Sequence, residues 1–289
     1  MTQLNASRFS KQFSLTTPIA LAPMALASGG ALAAACARAG ALGLVGGGYG
    51  DLAWTQREYR LALQAVDSQR IGIGFITWKL DEDASALDWV LDLPLEERPR
   101  AVMLSFGDAR RYAARIAASG APLICQIQRL EQAAQALEAG AQVLVAQGAE
   151  AGGHGMNGLD GRSTLTLVPE LADWLAGHAP ETLLLAAGGI ADGRGLAAAL
   201  TLGADGALLG TRLWATQESL APLGAKQAAL AAGGDGTARS AVFDILRRKQ
   251  WPKPYDFRAL RNDLHRSWED RVDALRAAPE TARARYDAG

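Results

Sequence analysis

The chain has little of what several protein classes depend on. Its 289 residues include only two cysteines, Cys36 and Cys125, far apart in sequence. That excludes a disulfide framework and a thiolate metal centre, each of which needs more ligands, and leaves both thiols as expected apolar fillers. Neither sign of charge is in excess: 29 Lys and Arg stand against 30 Asp and Glu, for a formal net charge of −1. No basic run interrupts that balance, so the footprint of a nucleic-acid or anionic-membrane binder is missing and a small molecule is the expected partner. An unbroken apolar span is missing as well. The uncharged stretch from Pro18 to Ala37 is mostly alanine and is interrupted by Pro23, Gly29 and Gly30, so it reads as a strand, a loop and a small-residue helix instead of a membrane segment. The start Met1-Thr2-Gln3-Leu4-Asn5 carries no basic region followed by an apolar core, which makes a cytoplasmic location the expectation.

What is present is a repeating alternation. Hydrophobic residues make up 49% of the chain, enough for a sizeable core, and the length suits one large α/β barrel or two ordinary domains. From residue 18 to about 215, short apolar runs alternate with Ala/Leu-rich helical segments. The predicted strands are 19–22, 42–45, 71–75, 101–105, 122–127, 142–146, 182–187 and 206–209. Helical segments such as 130–140 and 195–203 end in an Ala-Gly or Leu-Gly step that leads straight into the next strand. Eight successive strands of this kind predict a (β/α)8 TIM barrel over residues 1–218, with a doubly wound open sheet as the structural alternative. Beyond about 219 the pattern becomes charged and helical, with no evident strand. A helical C-terminal extension over 219–289, capping the barrel mouth or packed on its outside, is expected.

Three places can carry chemistry. The run Ala146-Gln147-Gly148-Ala149-Glu150-Ala151-Gly152-Gly153-His154-Gly155 puts an imidazole on a glycine-rich turn just past the sixth strand, where α/β folds place their reactive groups. Gly188-Gly189 ends the seventh strand and Gly210-Thr211 the eighth. Together they offer uncovered backbone N–H groups on neighbouring parts of the rim where barrels bind phosphate, with the helix beginning near Asp192 adding its dipole end. His154 is then the candidate general base, facing whatever phosphorylated group that rim holds. His178 and His265, in helical or charged surface surroundings, are expected to be structural. Glu150 and His154 do not share a helical face, and too few further ligands exist for metal catalysis. Lys79 is expected to be solvated or salt-bridged, and Trp54, Trp78 and Trp89 to be ordinary packing residues. Gly153-His154-Gly155-Met156-Asn157-Gly158 matches a dinucleotide fingerprint in spacing only, because the chain continues as a turn and opens no helix.

Four segments together resemble the nitronate monooxygenase family, formerly called 2-nitropropane dioxygenases. They are Ala22-Pro23-Met24-Ala25; Gln147 to Gly155 continued by Ser163 to Glu170; Ala186-Ala187-Gly188-Gly189-Ile190-Ala191-Asp192-Gly193; and Gly203-Ala204-Asp205-Gly206 through Leu209-Gly210-Thr211-Arg212. The resemblance implies a flavoprotein with FMN at the carboxyl face of the barrel, its phosphate held by Gly188, Gly189, Gly210 and Thr211. Pro23, Met24 and Ala25 would run along the flavin ring, and Gln126 and Gln147 would meet its polar edge or the ribityl chain. Ala151, Gly152 and Gly153 would touch it through backbone, and His154 occupies the catalytic histidine position. Gly74 stands where many relatives carry asparagine, which removes a side-chain amide contact.

The activity implied is an FMN-dependent oxidoreductase, a monooxygenase that converts alkyl nitronates, with neutral nitroalkanes as further candidate substrates, to carbonyl compounds and nitrite with O2. Two alternatives stay open at this point: an NAD(P)H-dependent flavin reductase of the enoyl-thioester type, and a flavin-binding protein without turnover. Pairing through outer helices, common among barrels, makes a homodimer a further expectation.

Overall fold

The computed structural model describes residues 7–158 and 160–288; the first five residues, on which the expected location rests, lie outside that range. The strands are β1 (Ile19–Leu21), β2 (Gly43–Gly46), β3 (Ile71–Ile76), β4 (Val102–Ser105), β5 (Leu123–Ile127), β6 (Val143–Gln147), β7 (Gly153–Met156), β8 (Leu183–Ala187), β9 (Gly206–Leu209), β10 (Thr237–Ser240) and β11 (Tyr255–Leu260). Eight of them form one parallel sheet in the order β1-β9-β8-β6-β5-β4-β3-β2. The sheet closes on itself where Leu21 N–H donates to the Leu42 carbonyl at 2.9 Å and Leu42 N–H to that of Ile19 at 3.0 Å. The result is the (β/α)8 barrel, with every predicted strand present.

Alternation along the strands sorts the apolar side chains into two layers. Ala20, Leu44, Met103, Ile124, Val145 and Leu185 belong to a cluster joining strands from all round the sheet, which is the barrel interior. Phe9 and Phe13 from the helix Arg8–Phe13 join that cluster and close its amino-terminal end. Arg8 fixes this plug through a two-pronged ion pair with Asp205, at 2.7 and 2.8 Å. Residues of opposite parity, such as Val45, Ile73, Leu104 and Leu144, pack outward against the helices. Cys36 and Cys125 are both buried, and burial pushes their thiols up to about 11 and about 12. The Pro18–Ala37 stretch is β1, a loop and most of the helix Gly30–Arg38. Among the described residues, no helix is long and apolar enough to cross a membrane.

The C-terminal region departs from expectation. It is not helical throughout: β10 and β11 pair antiparallel, and β11 pairs in turn with β7, so Phe257 lies opposite His154 and Arg258 opposite Gly153. The alternation of Tyr255-Asp256-Phe257-Arg258-Ala259-Leu260 is a strand signal. It was obscured by Trp251-Pro252-Lys253-Pro254 just before it and by a partner strand hidden in a glycine-rich turn. Five short helices complete the region, and Val242, Leu246, Leu264, Leu275 and Ala282 form its own small core.

Gly74 shows how the barrel mouth is packed. A Cβ there would lie 2.3 Å from Cγ and 2.5 Å from Cβ of Pro23, in the loop that β1 sends across the mouth. In this chain the Pro23 ring thus occupies the space that a side chain at position 74 would need. Gly74→Asn is expected to displace that loop and to destabilise the protein by about 1–3 kcal/mol, the usual cost of overpacking. Chemical denaturation measures it, and an unchanged midpoint would show that Pro23 yields freely.

Candidate active site

The β6–β7 turn brings the predicted residues together at the carboxyl ends of the barrel strands. A Cβ on Gly152 would lie 2.4 Å from Thr211 Oγ1, and one on Gly188 would meet Thr164 Oγ1 at 2.9 Å and Ala151 Cβ at 3.3 Å. The turn is therefore seated directly on the ends of β8 and β9. Met24 reaches the same place, with its sulfur 3.6 Å from the Cβ position of Gly210. Gly188 and Gly189 hold φ of 115° and 71°, a region that glycine enters without strain. The N–H groups of Gly189, Ile190, Thr211 and Arg212 have no protein acceptor among the described residues, which leaves a cradle of donors. The nearby helix Gly193–Thr201 contributes less than expected. Its cap Asp192 already accepts from the N–H groups of Arg194 and Gly195 at 3.0 and 3.1 Å and places a carboxylate at the dipole end.

His154 is not on a free turn. It belongs to β7, and its ring is held on three sides. Nε2 lies 2.9 and 3.1 Å from the two carboxylate oxygens of Asp244, which sits on the helix Val242–Leu246. One face is stacked on Trp251 at 3.4 Å between centroids, and Phe257 is tilted against the ring at 4.6 Å. Both side chains of the His154–Asp244 pair are less than a tenth exposed. A carboxylate only accepts, so the neutral imidazole carries its hydrogen on Nε2 and keeps a lone pair on Nδ1. Burial lowers the His154 pKa from the usual 6.5, and the Asp244 contact opposes that shift without cancelling it.

Gln147 supports this arrangement instead of pointing outward. Its Oε1 accepts from Gln126 Nε2 at 3.2 Å and from Gln128 Nε2 at 2.8 Å, while its Nε2 donates to the His154 carbonyl at 2.9 Å. Arg239 fastens the other side of the turn, donating to the carbonyls of Ala149 and Ala151 at 3.2 and 2.8 Å and pairing with Asp256. Glu150 has a structural contact: its Oε1 caps the helix Thr164–His178 by accepting from Thr164 N–H at 2.9 Å. Among the described residues no cluster suited to a metal ion occurs.

An aromatic group covers the mouth beside His154. Trp251 meets Trp78, Phe106, Tyr49 and Tyr255 edge-on at 5.0 to 6.4 Å. Each such contact is worth about 0.5–1.5 kcal/mol beyond its buried area. Phe106 is held at φ 64°, a strained backbone conformation for a non-glycine residue. Cations stand on these rings: Lys79 over Trp78, Lys249 over Tyr49 and Arg247 over Phe257, at 4.7, 4.0 and 4.8 Å. Lys79 is also salt-bridged to Glu82, as expected. Trp78 thus belongs to the site, whereas Trp89 packs against Tyr59.

Asp244, Trp251, Arg239 and Gln128 were not foreseen. Asp244 and Trp251 are separated from His154 by about a third of the chain, and only the β7–β11 pairing brings them together. His178 bonds the Trp174 carbonyl on the surface, as expected. His265 departs from its expected surface setting and is 1% exposed.

Comparison with known proteins agrees with this geometry. The family model described as nitronate monooxygenase matches residues 79–285. A nitronate monooxygenase of Metarhizium robertsii is 36% identical, the match covering 86% of this chain and 73% of that protein. Among solved structures, FabK of Thermotoga maritima superposes with a TM-score of 0.79 at 27% identity, covering 96% of this chain and 80% of the other. Nitroalkane oxidase of Streptomyces ansochromogenes superposes with a TM-score of 0.73 at 28% identity, covering 89% and 80%. With the barrel, the glycine cradle and the buried histidine already in place, these matches establish that the chain belongs to the nitronate monooxygenase family.

Proposed function

We propose that the protein is an FMN-dependent monooxygenase acting on alkyl nitronates and on the neutral nitroalkanes that give rise to them. The observation that carries this reading is the buried His154–Asp244 pair beside a cradle of uncommitted backbone donors. The residues present fit FMN. Gly188 and Gly189 hold the positive φ that turns the backbone at the rim, and Gly189, Ile190, Thr211 and Arg212 would supply N–H groups for a phosphate. Pro23, Met24, Ala25 and Gly74 would border the ring, with Gln126 at its polar edge and Ala151, Gly152 and Gly153 meeting it through backbone. Gln147 is reserved for holding His154. When bound, FMN takes up electrons from the substrate and passes them to O2.

The chain's own part is proton transfer, orientation and exclusion of water. A neutral nitroalkane must lose the proton on the carbon that bears the nitro group. The Nδ1 lone pair of His154 is the available base, and Asp244 stabilises the imidazolium that results. A nitronate arrives already anionic and needs no base. Lys79, Arg247 and Lys249 favour its approach, and Lys249 is itself held below its ordinary pKa by burial and by the other two cations. Trp251 and its aromatic neighbours would offer apolar ring surface to the alkyl part of the substrate.

Purified protein is expected to be yellow, and anaerobic addition of ethyl nitronate is expected to bleach it. Bleaching by NADH but not by the nitronate would instead support the reductase reading. The histidine pair gives a second test. His154→Asn is expected to lower nitroalkane turnover by about 10²–10⁴-fold and to affect nitronate turnover far less. Equal loss on both substrates would contradict the base assignment. The pH profile gives a third. For the nitroalkane, kcat/KM is expected to rise with pH through an inflection below 6.5, where His154 loses its proton. Asp244→Asn, which removes the contact that holds the proton, is expected to move that inflection further down and to lower the plateau. An inflection that stays in place or moves up would contradict the pairing.

A further inference from the structure

A cavity of about 410 Å³ lies against β10 and β11, with Arg239, Arg258, Arg261, His265, Glu269 and Asp270 in its walls. It is within the usual size range for small-molecule sites. Seven buried side-chain nitrogen or oxygen atoms lack a hydrogen-bond partner among the described residues, and four of them belong to its walls: Arg239 Nε, Arg258 Nε and both ring nitrogens of His265. His265 Nδ1 comes within 3.3 Å of Glu269 without hydrogen-bond alignment, and the ring is held flat against Phe243 at 5.0 Å. Burying such a group without a partner is costly, so their gathering in one cavity calls for an explanation.

The kind of atom identifies the missing partner. An arginine Nε–H can only donate, so what these walls lack is an acceptor. Arg258 and Arg261 have no carboxylate within ion-pair distance among the described residues; Arg258 bonds only the Thr237 hydroxyl, at 3.2 Å. Glu269 and Asp270 also line the cavity, with Glu269 3.3 Å from His265 Nδ1, so carboxylates stand beside the donors. Donors on three separate elements suit an oxyanion with three or more oxygens better than a two-oxygen carboxylate.

We propose that this cavity binds a phosphorylated small molecule. Its phosphate would lie among Arg258, Arg261, the Arg239 Nε–H and His265, and its hydroxyl or amino groups would face Glu269 and Asp270. This site is distinct from the glycine cradle and does not rest on the flavin reading. It lies on the strand that serves the active site, since Arg258 is adjacent to Phe257, which packs on His154.

Isothermal titration of the full chain with inorganic phosphate at constant ionic strength, with one equivalent of FMN present, tests the proposal. Binding is expected in the unaltered protein and is expected to weaken at least fivefold in Arg258→Gln and in Arg261→Gln. Arg261 is exposed, so its replacement leaves the fold intact, as a thermal melt will check. The imidazole 15N resonances of His265 are expected to move on adding phosphate in the unaltered protein. Without FMN, phosphate binding at the glycine cradle would appear as a second event that Arg261→Gln leaves unchanged, so failure of the flavin reading is seen separately. Absence of binding, equal binding by all three proteins, or acetate binding as tightly as phosphate would overturn the proposal.

Discussion

The contact on which the rest depends is the hydrogen bond between His154 Nε2 and the Asp244 carboxylate, made where both side chains are almost wholly removed from water. Burial alone drives an imidazole toward its neutral form, and an unpaired carboxylate in the same place would be costly. Each group makes the other tolerable. The bond also orients the ring, because stacking on Trp251 and contact with Phe257 restrict its faces while Asp244 takes one edge. Nδ1, on the other edge, is left without a hydrogen-bond partner among the described residues.

This contact explains the architecture around it. The barrel places β6 and the turn that follows at its carboxyl end, and Gln147 and Arg239 grip the backbone of that turn from opposite sides. The region after residue 219 has a small core of its own, and what it contributes to the barrel is Asp244, Trp251 and Phe257. Strand β11 connects the two by pairing with β7. Histidine and carboxylate thus come from separate layers of the fold, and a shift in the β7–β11 register by one residue would move Phe257 to the wrong face.

The barrel was legible because parallel strands buried on both faces write themselves as apolar runs, and all eight appear within a residue or two of where the runs lie. The rim segments Gly188-Gly189 and Gly210-Thr211 are legible for a related reason, since glycine uncovers the backbone there and Gly188 and Gly189 take φ of 115° and 71°. Asp244 was not legible. One aspartate among many acidic residues carries no local mark, and its meaning arises from a long-range pairing to a strand that itself reads as a turn. The same holds for Trp251 and for the burial of His265. Gly74 stands out in the sequence as a departure, but the Pro23 ring that fills the space beside it is visible only in three dimensions.

The central claim concerns which nitrogen of His154 carries the hydrogen, and long-range 1H–15N correlation spectra of imidazole-labelled protein read this directly. Above the pKa of the ring, the account predicts a protonated Nε2 and an Nδ1 shift characteristic of a free lone pair, with the pattern lost on removal of the Asp244 carboxylate. A ring protonated on Nδ1, or one exchanging freely between tautomers, would contradict it.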